Sequence, residues 1–65
     1  MEHRKDEIIE ILIQYIHKRQ DREVMITYMT DRPRSLEELA EIHDLSVSTV
    51  KRIINRCSFI YKYLP

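Results

Sequence analysis

The chain has 65 residues, of which 43% are apolar and 34% charged, with 11 basic and 11 acidic side chains, one cysteine and no glycine. That length holds one domain at most and buries only about 60% of the unfolded surface, too little for a large enclosed active site. Without glycine there is no phosphate-cradling loop, dinucleotide fingerprint or nucleophile elbow, and the zero net charge, taken whole, argues against a nucleic-acid partner.

Period 3.6 dominates the apolar pattern. Ile8, Ile9, Leu12, Ile13 and Ile16 form the first stripe, widened by Ile11 and Tyr15, with Glu7, Glu10, Gln14 and Lys18 opposite. This predicts an amphipathic helix over residues 6–19. Its apolar arc is wider than one packing partner requires. Either the helix is central in a bundle or it also meets a second copy of the chain through Ile8, Leu12 and Ile16.

Val24, Met25, Tyr28 and Met29 predict a second helix over residues 21–30. It is stopped at Pro33, which lacks a donor and disfavours helical geometry in the residue before it. Ser35-Leu36-Glu37-Glu38 is a capping box opening a third helix over residues 36–43, with Leu36, Leu39, Ala40 and Ile42 facing inward. Ser46 caps a final helix and tail over residues 47–64, whose stripe runs through Val47, Val50, Ile53, Ile54, Cys57, Ile60 or Tyr61, and Leu64. The expected fold class is all-α, a small four-helix bundle with a helix-turn-helix at its C-terminal end, in a single domain spanning residues 1–65.

A lone Cys57 excludes an internal disulfide and favours a reducing, cytoplasmic setting. His3, His17, His43 and Cys57 are scattered singly, so no metal site and no cofactor are expected. The charged N-terminus does not read as a signal peptide, and no apolar run approaches a membrane span. Glu37, Glu38 and Glu41 share an exposed helix face without a positioned partner, so the chain is not expected to be an enzyme.

The segment SLEELAEIHDLSVSTVKRII resembles the helix-turn-helix DNA-binding regulators. Ala40 is small where two helices approach, Leu45 points inward from the turn, and Val50 and Ile53 pack back on the first helix of the pair. The turn position usually held by glycine is Asp44, a residue type that tolerates the left-handed conformation. Together with Arg22-Glu23-Val24-Met25 through Tyr28, the pattern resembles region 4 of bacterial sigma factors, and small phage and mobile-element regulators are similar. It also resembles the N-terminal module of some sporulation regulators and winged repressors, although no wing-forming strand pair is expected here. The resemblance implies double-stranded DNA as ligand, a role in transcription regulation, and RNA polymerase as a second partner.

The candidate DNA-binding residues are Ser48, Thr49, Lys51, Arg52 and Asn55 on the second helix of the motif, with Val47 at its start and Arg56 at its end. Lys51 and Arg52 suit guanine acceptors, Asn55 suits adenine, and the two hydroxyls are short enough for close approach. Arg32, Arg34 and Ser35 stand at the start of the third helix, where free amides and the dipole favour a phosphate. Residues 46–65 carry four basic side chains and no acid, whereas the first 31 carry five basic and seven acidic ones. The neutral total is therefore an average over a negative N-terminal half and a positive final helix. A module that docks on RNA polymerase or another regulator, through the first helix or the Tyr61-to-Leu64 tail, is the competing expectation.

Overall fold

The structure, a computed structural model, describes residues 2–64 and the side chains from Arg4 onward, so the side chain of His3 and all of Pro65 lie outside the described residues. Four α-helices follow one another: α1 (Glu2–Tyr15), α2 (Arg19–Ile26), α3 (Leu36–His43) and α4 (Val47–Arg56). A π-helical turn, Thr27–Asp31, extends α2, and a 3₁₀ turn, Ser58–Tyr63, follows α4. No strand occurs among the described residues, and the chain is an all-α bundle containing a helix-turn-helix.

One core joins all of these helices. Leu12, Ile16, Val24, Met25, Leu39, Ala40, Val50, Ile53, Cys57 and Ile60 are buried together. Packing, rather than local propensity, carries most of the stability of helices this short. Burial pushes the Cys57 thiol above its ordinary pKa, so it packs as a protonated, unreactive side chain.

Several boundaries differ from the sequence expectation. The first helix ends at Tyr15 instead of residue 19, and α2 begins at Arg19 instead of 21. Neither glycine nor proline marks that corner. Ile16 still donates its N–H to Leu12 O (2.9 Å), and the break follows where Lys18 takes an extended conformation, φ −72° and ψ 123°, ahead of α2. Within the helix and tail expected over 47–64, the regular helix ends at Arg56, and the tail tightens into the 3₁₀ turn that brings Ile60 under the core. In the extension of α2, the hydroxyls of Thr27 and Thr30 donate to the carbonyls of Glu23 (3.2 Å) and Ile26 (2.6 Å). Such back-bonding competes with the regular ladder and accompanies the widened turn.

The inward faces also shift. Ile13 and Ile42, both expected to face the core, are exposed at 52% and 55%. On α1 the buried side is instead Leu12 with half-buried Ile8, Ile11 and Tyr15 packed against the core, and Tyr15 stacks on Tyr63 with ring centroids 4.1 Å apart. Of the residues expected at a dimer seam, Ile8 is half-buried, and Leu12 and Ile16 pack into the chain's own core. Leu12 and Ile16 are 0% and 4% exposed within one chain, because the wide arc of α1 is needed centrally by its own bundle.

With no glycine available, two other residues take the left-handed positions: Arg32 (φ 51°) before Pro33, and Asp44 (φ 56°) in the motif's turn. Around Asp44 the helix ends in a Schellman arrangement. Leu45 N donates to Ala40 O (2.9 Å) and Asp44 N to Glu41 O (3.2 Å), with half-buried Leu45 closing over the end of α3. Asp44→Val should therefore destabilise the chain by about 1–2 kcal/mol, whereas Asp44→Gly should be neutral or stabilising. Urea unfolding of the pair checks this, and equal stabilities would show that the turn has no left-handed requirement.

Candidate nucleic-acid interface

The motif is made of α3, the turn at Asp44–Leu45–Ser46, and α4. Ser46 sets where α4 begins. Its Oγ accepts from Thr49 N (3.2 Å) and donates to Thr49 Oγ1 (2.8 Å), with Ser48 Oγ 3.3 Å away. Val50 and Ile53 then bury one side of α4 against α3 and α2. Helical spacing turns Ser48, Lys51, Arg52 and Asn55 to the opposite side, and all four are exposed. A short hydroxyl near the helix start, two cations and an amide thus share one open face, a set suited to base edges and phosphates in a groove about 12 Å wide.

Other expected members are placed differently. Thr49 and Val47 are half-buried at the flanks, and the Thr49 hydroxyl is already engaged with the cap. Arg56 is turned away from the open face. Its Nε and Nη2 donate to Asp21 Oδ2 (3.0 Å) and Oδ1 (2.9 Å) in a bidentate pair joining α4 to α2. The pair raises the Arg56 pKa above its already high ordinary value, chiefly through that hydrogen bond.

Asp21, buried at 4% exposure, was not singled out in the sequence. A signal was present. Asp21 stands on the same helical stripe as Val24, Met25 and Tyr28, and an acid on a buried stripe requires a partner.

At the start of α3, Ser35 Oγ accepts from Glu38 N (3.1 Å), while Glu38 Oε1 accepts from Arg34 N (2.7 Å). The carboxylate therefore bonds one residue earlier than the capping box implies. The donors that the sequence reserved for a phosphate are partly used by this cap, and Glu37 and Glu38 occupy the first turn. The guanidinium groups of Arg32 and Arg34 remain exposed, and among the described residues neither they nor Lys51 and Arg52 form an ion pair. Arg34 thus offers charge from the α3 side, and Lys51 offers it from α4. A shallow cleft lined by Tyr28, Leu36, Lys51, Ile54 and Asn55 lies between the two helices.

His43 Nε2 lies 2.8 Å from Thr27 Oγ1, which ties the end of α3 to the π turn and gives this histidine a structural partner. Among the described residues no three His, Cys, Asp or Glu side chains cluster as metal ligands would, and no helix is long and apolar enough to cross a membrane.

A family model described as sigma-70, region 4 matches residues 18–58, well over half of the chain. The matched stretch takes in α2, the π turn, α3 and α4, and omits α1. No curated protein and no solved structure is significantly similar to the chain.

Proposed function

Because the chain belongs to the sigma-70 region 4 family of helix-turn-helix DNA-binding domains, we propose that it binds double-stranded DNA sequence-specifically, as a cytoplasmic regulator of transcription. The observation that carries this reading is the open face of α4, where Ser48, Lys51, Arg52 and Asn55 stand together without ion-pair partners among the described residues. In this reading α4 enters the major groove, Arg52 and Asn55 read base edges, and Arg34 and Lys51 hold phosphates and set the register. The net charge is zero, so affinity rests on base contacts and on a local positive field rather than on bulk attraction.

Selection from a random duplex pool, followed by anisotropy titration of the enriched site, tests the reading. Arg52→Ala should cost about 1–3 kcal/mol on the selected site and relax preference at one base position. Arg34→Ala should weaken selected and scrambled duplexes equally and shallow the salt slope by about one. A wild-type chain that enriches no sequence and binds no duplex at low salt would rule the function out.

The tail supports a second reading. Phe59, Tyr61 and Tyr63 are 41%, 51% and 45% exposed, more aromatic surface than an isolated small bundle needs. Docking on RNA polymerase through this tail is compatible with DNA binding by α4. Binding of purified polymerase that is lost in Phe59→Ser, with duplex affinity unchanged, would establish it.

A further inference from the structure

A cleft with a volume of about 610 Å³ lies where α1, the π turn and the 3₁₀ tail meet. Arg4 and Lys5 from α1 and Arg32 from the end of the π turn line it, together with Tyr28, Tyr61 and apolar Met29. No acidic side chain is among those lining it. Glu7 and Glu10, on the same helix, line a separate cleft beside Tyr63. Arg4 and Lys5 thus line the cleft that Arg32 shares, while Glu7 and Glu10 line the other. All three cations are exposed, and among the described residues none makes an ion pair.

This cleft adjoins the candidate interface. Tyr28 lines both it and the smaller cleft that holds Lys51 and Asn55. A positive track thus runs from the open face of α4, past Tyr28, to Arg32 and on to Arg4 and Lys5.

We propose that this track is a second phosphate-binding site, which takes the sugar–phosphate backbone of DNA flanking the sequence read by α4. The inference rests on the DNA-binding reading above and extends it to α1, which lies outside the matched segment 18–58. The chemistry fits a phosphodiester strand. Three cations neutralise charge, phenol hydroxyls donate to phosphate oxygens, and apolar side chains lie against deoxyribose. Partial burial and the neighbouring Tyr28 raise the pKa of Tyr61, so its hydroxyl stays protonated and able to donate.

The test compares wild type with the double variant Arg4→Gln/Lys5→Gln on two duplexes. One carries only the selected site, and the other is extended by about one helical turn, ~10 base pairs, at each end. Both positions are exposed and glutamine keeps helix propensity, so thermal unfolding should match wild type. On the extended duplex the variant should show a salt slope shallower by about two and an affinity lower by several-fold, equally for selected and scrambled sequences. On the short duplex it should match wild type. Arg32→Gln, which does not depend on α1 being helical, should shallow the extended-duplex slope by about one. Unchanged slopes for both variants on the extended duplex would overturn the inference while leaving the DNA-binding reading intact. A changed base preference, or an equal effect on both duplexes, would also overturn it. Failure of the wild-type chain to bind either duplex would overturn both.

Discussion

Leu12→Ala should lower the free energy of unfolding by about 2–5 kcal/mol, the range for deleting a buried leucine side chain without collapse of the site. For 65 residues at about 0.05–0.15 kcal/mol per residue, total stability is on the order of 3–10 kcal/mol, so this one change removes a large share of it. The expectation rests on position. Leu12 is 0% exposed and belongs to the same cluster as Val24, Met25, Ile53 and Ile60. Although α1 lies outside the segment that matches the family, it completes the core on which that segment's helices rest. A bundle this small has no second core to absorb the loss. Urea unfolding followed by far-UV circular dichroism measures it. A change below about 1 kcal/mol would show that α1 is an accessory to the motif and not part of its foundation.

The Asp21–Arg56 pair should show an asymmetry between its two partners. Asp21 is 6% exposed along its side chain and Arg56 is 46% exposed. With Asp21→Ala, the guanidinium swings into water, and the loss is about 1–3 kcal/mol for the broken hydrogen bonds and packing. With Arg56→Ala, a carboxylate is left in the interior without a partner and cannot reach solvent, so the destabilisation should be larger. The double variant should be more stable than Arg56→Ala alone, because it removes the stranded charge. Urea unfolding of the four proteins in this cycle reads the coupling directly.

The same cycle tests what Arg56 is for. If it serves to set α4 against α2, the double variant, once folded, should retain the wild-type salt slope on duplex DNA. A slope shallower by about one would return Arg56 to the phosphate contacts expected from the sequence.

Much of the architecture was legible because it depends on local rules. Ser35 and Ser46 mark helix starts through hydroxyl caps, and Pro33 marks a stop. Asp44 adopts the left-handed turn that the helix-turn-helix pattern requires, without the usual glycine. The open face of α4 was legible for the same reason. Once Val50, Ile53 and Cys57 point inward, geometry leaves Ser48, Lys51, Arg52 and Asn55 outside. The α1–α2 corner was not legible, since no residue there breaks a helix. It folds α2 back against α1, so that Leu12 and Ile16 share one core with Val24 and Met25. Ile13 and Ile42 were misplaced because an isoleucine carries no mark of which neighbour, if any, will cover it.

Local patterns along the chain specify a set of short capped helices with a helix-turn-helix among them and a basic outward face on the last full helix. Those properties follow from spacing, capping chemistry and charge along one segment at a time. The packed fold settles the properties that depend on two distant segments meeting. It gave Arg56 to Asp21, 35 residues away, rather than to the outward face. It placed Leu12 of α1, and Ile16 just after it, in one core with Val24 and Met25 of α2. It also brought Arg4 and Lys5 beside Arg32, in a cleft that no single stretch of sequence contains. The physical reason is the same in each case. A side chain's partner is set by which surfaces burial forces together, and burial is a property of the whole fold.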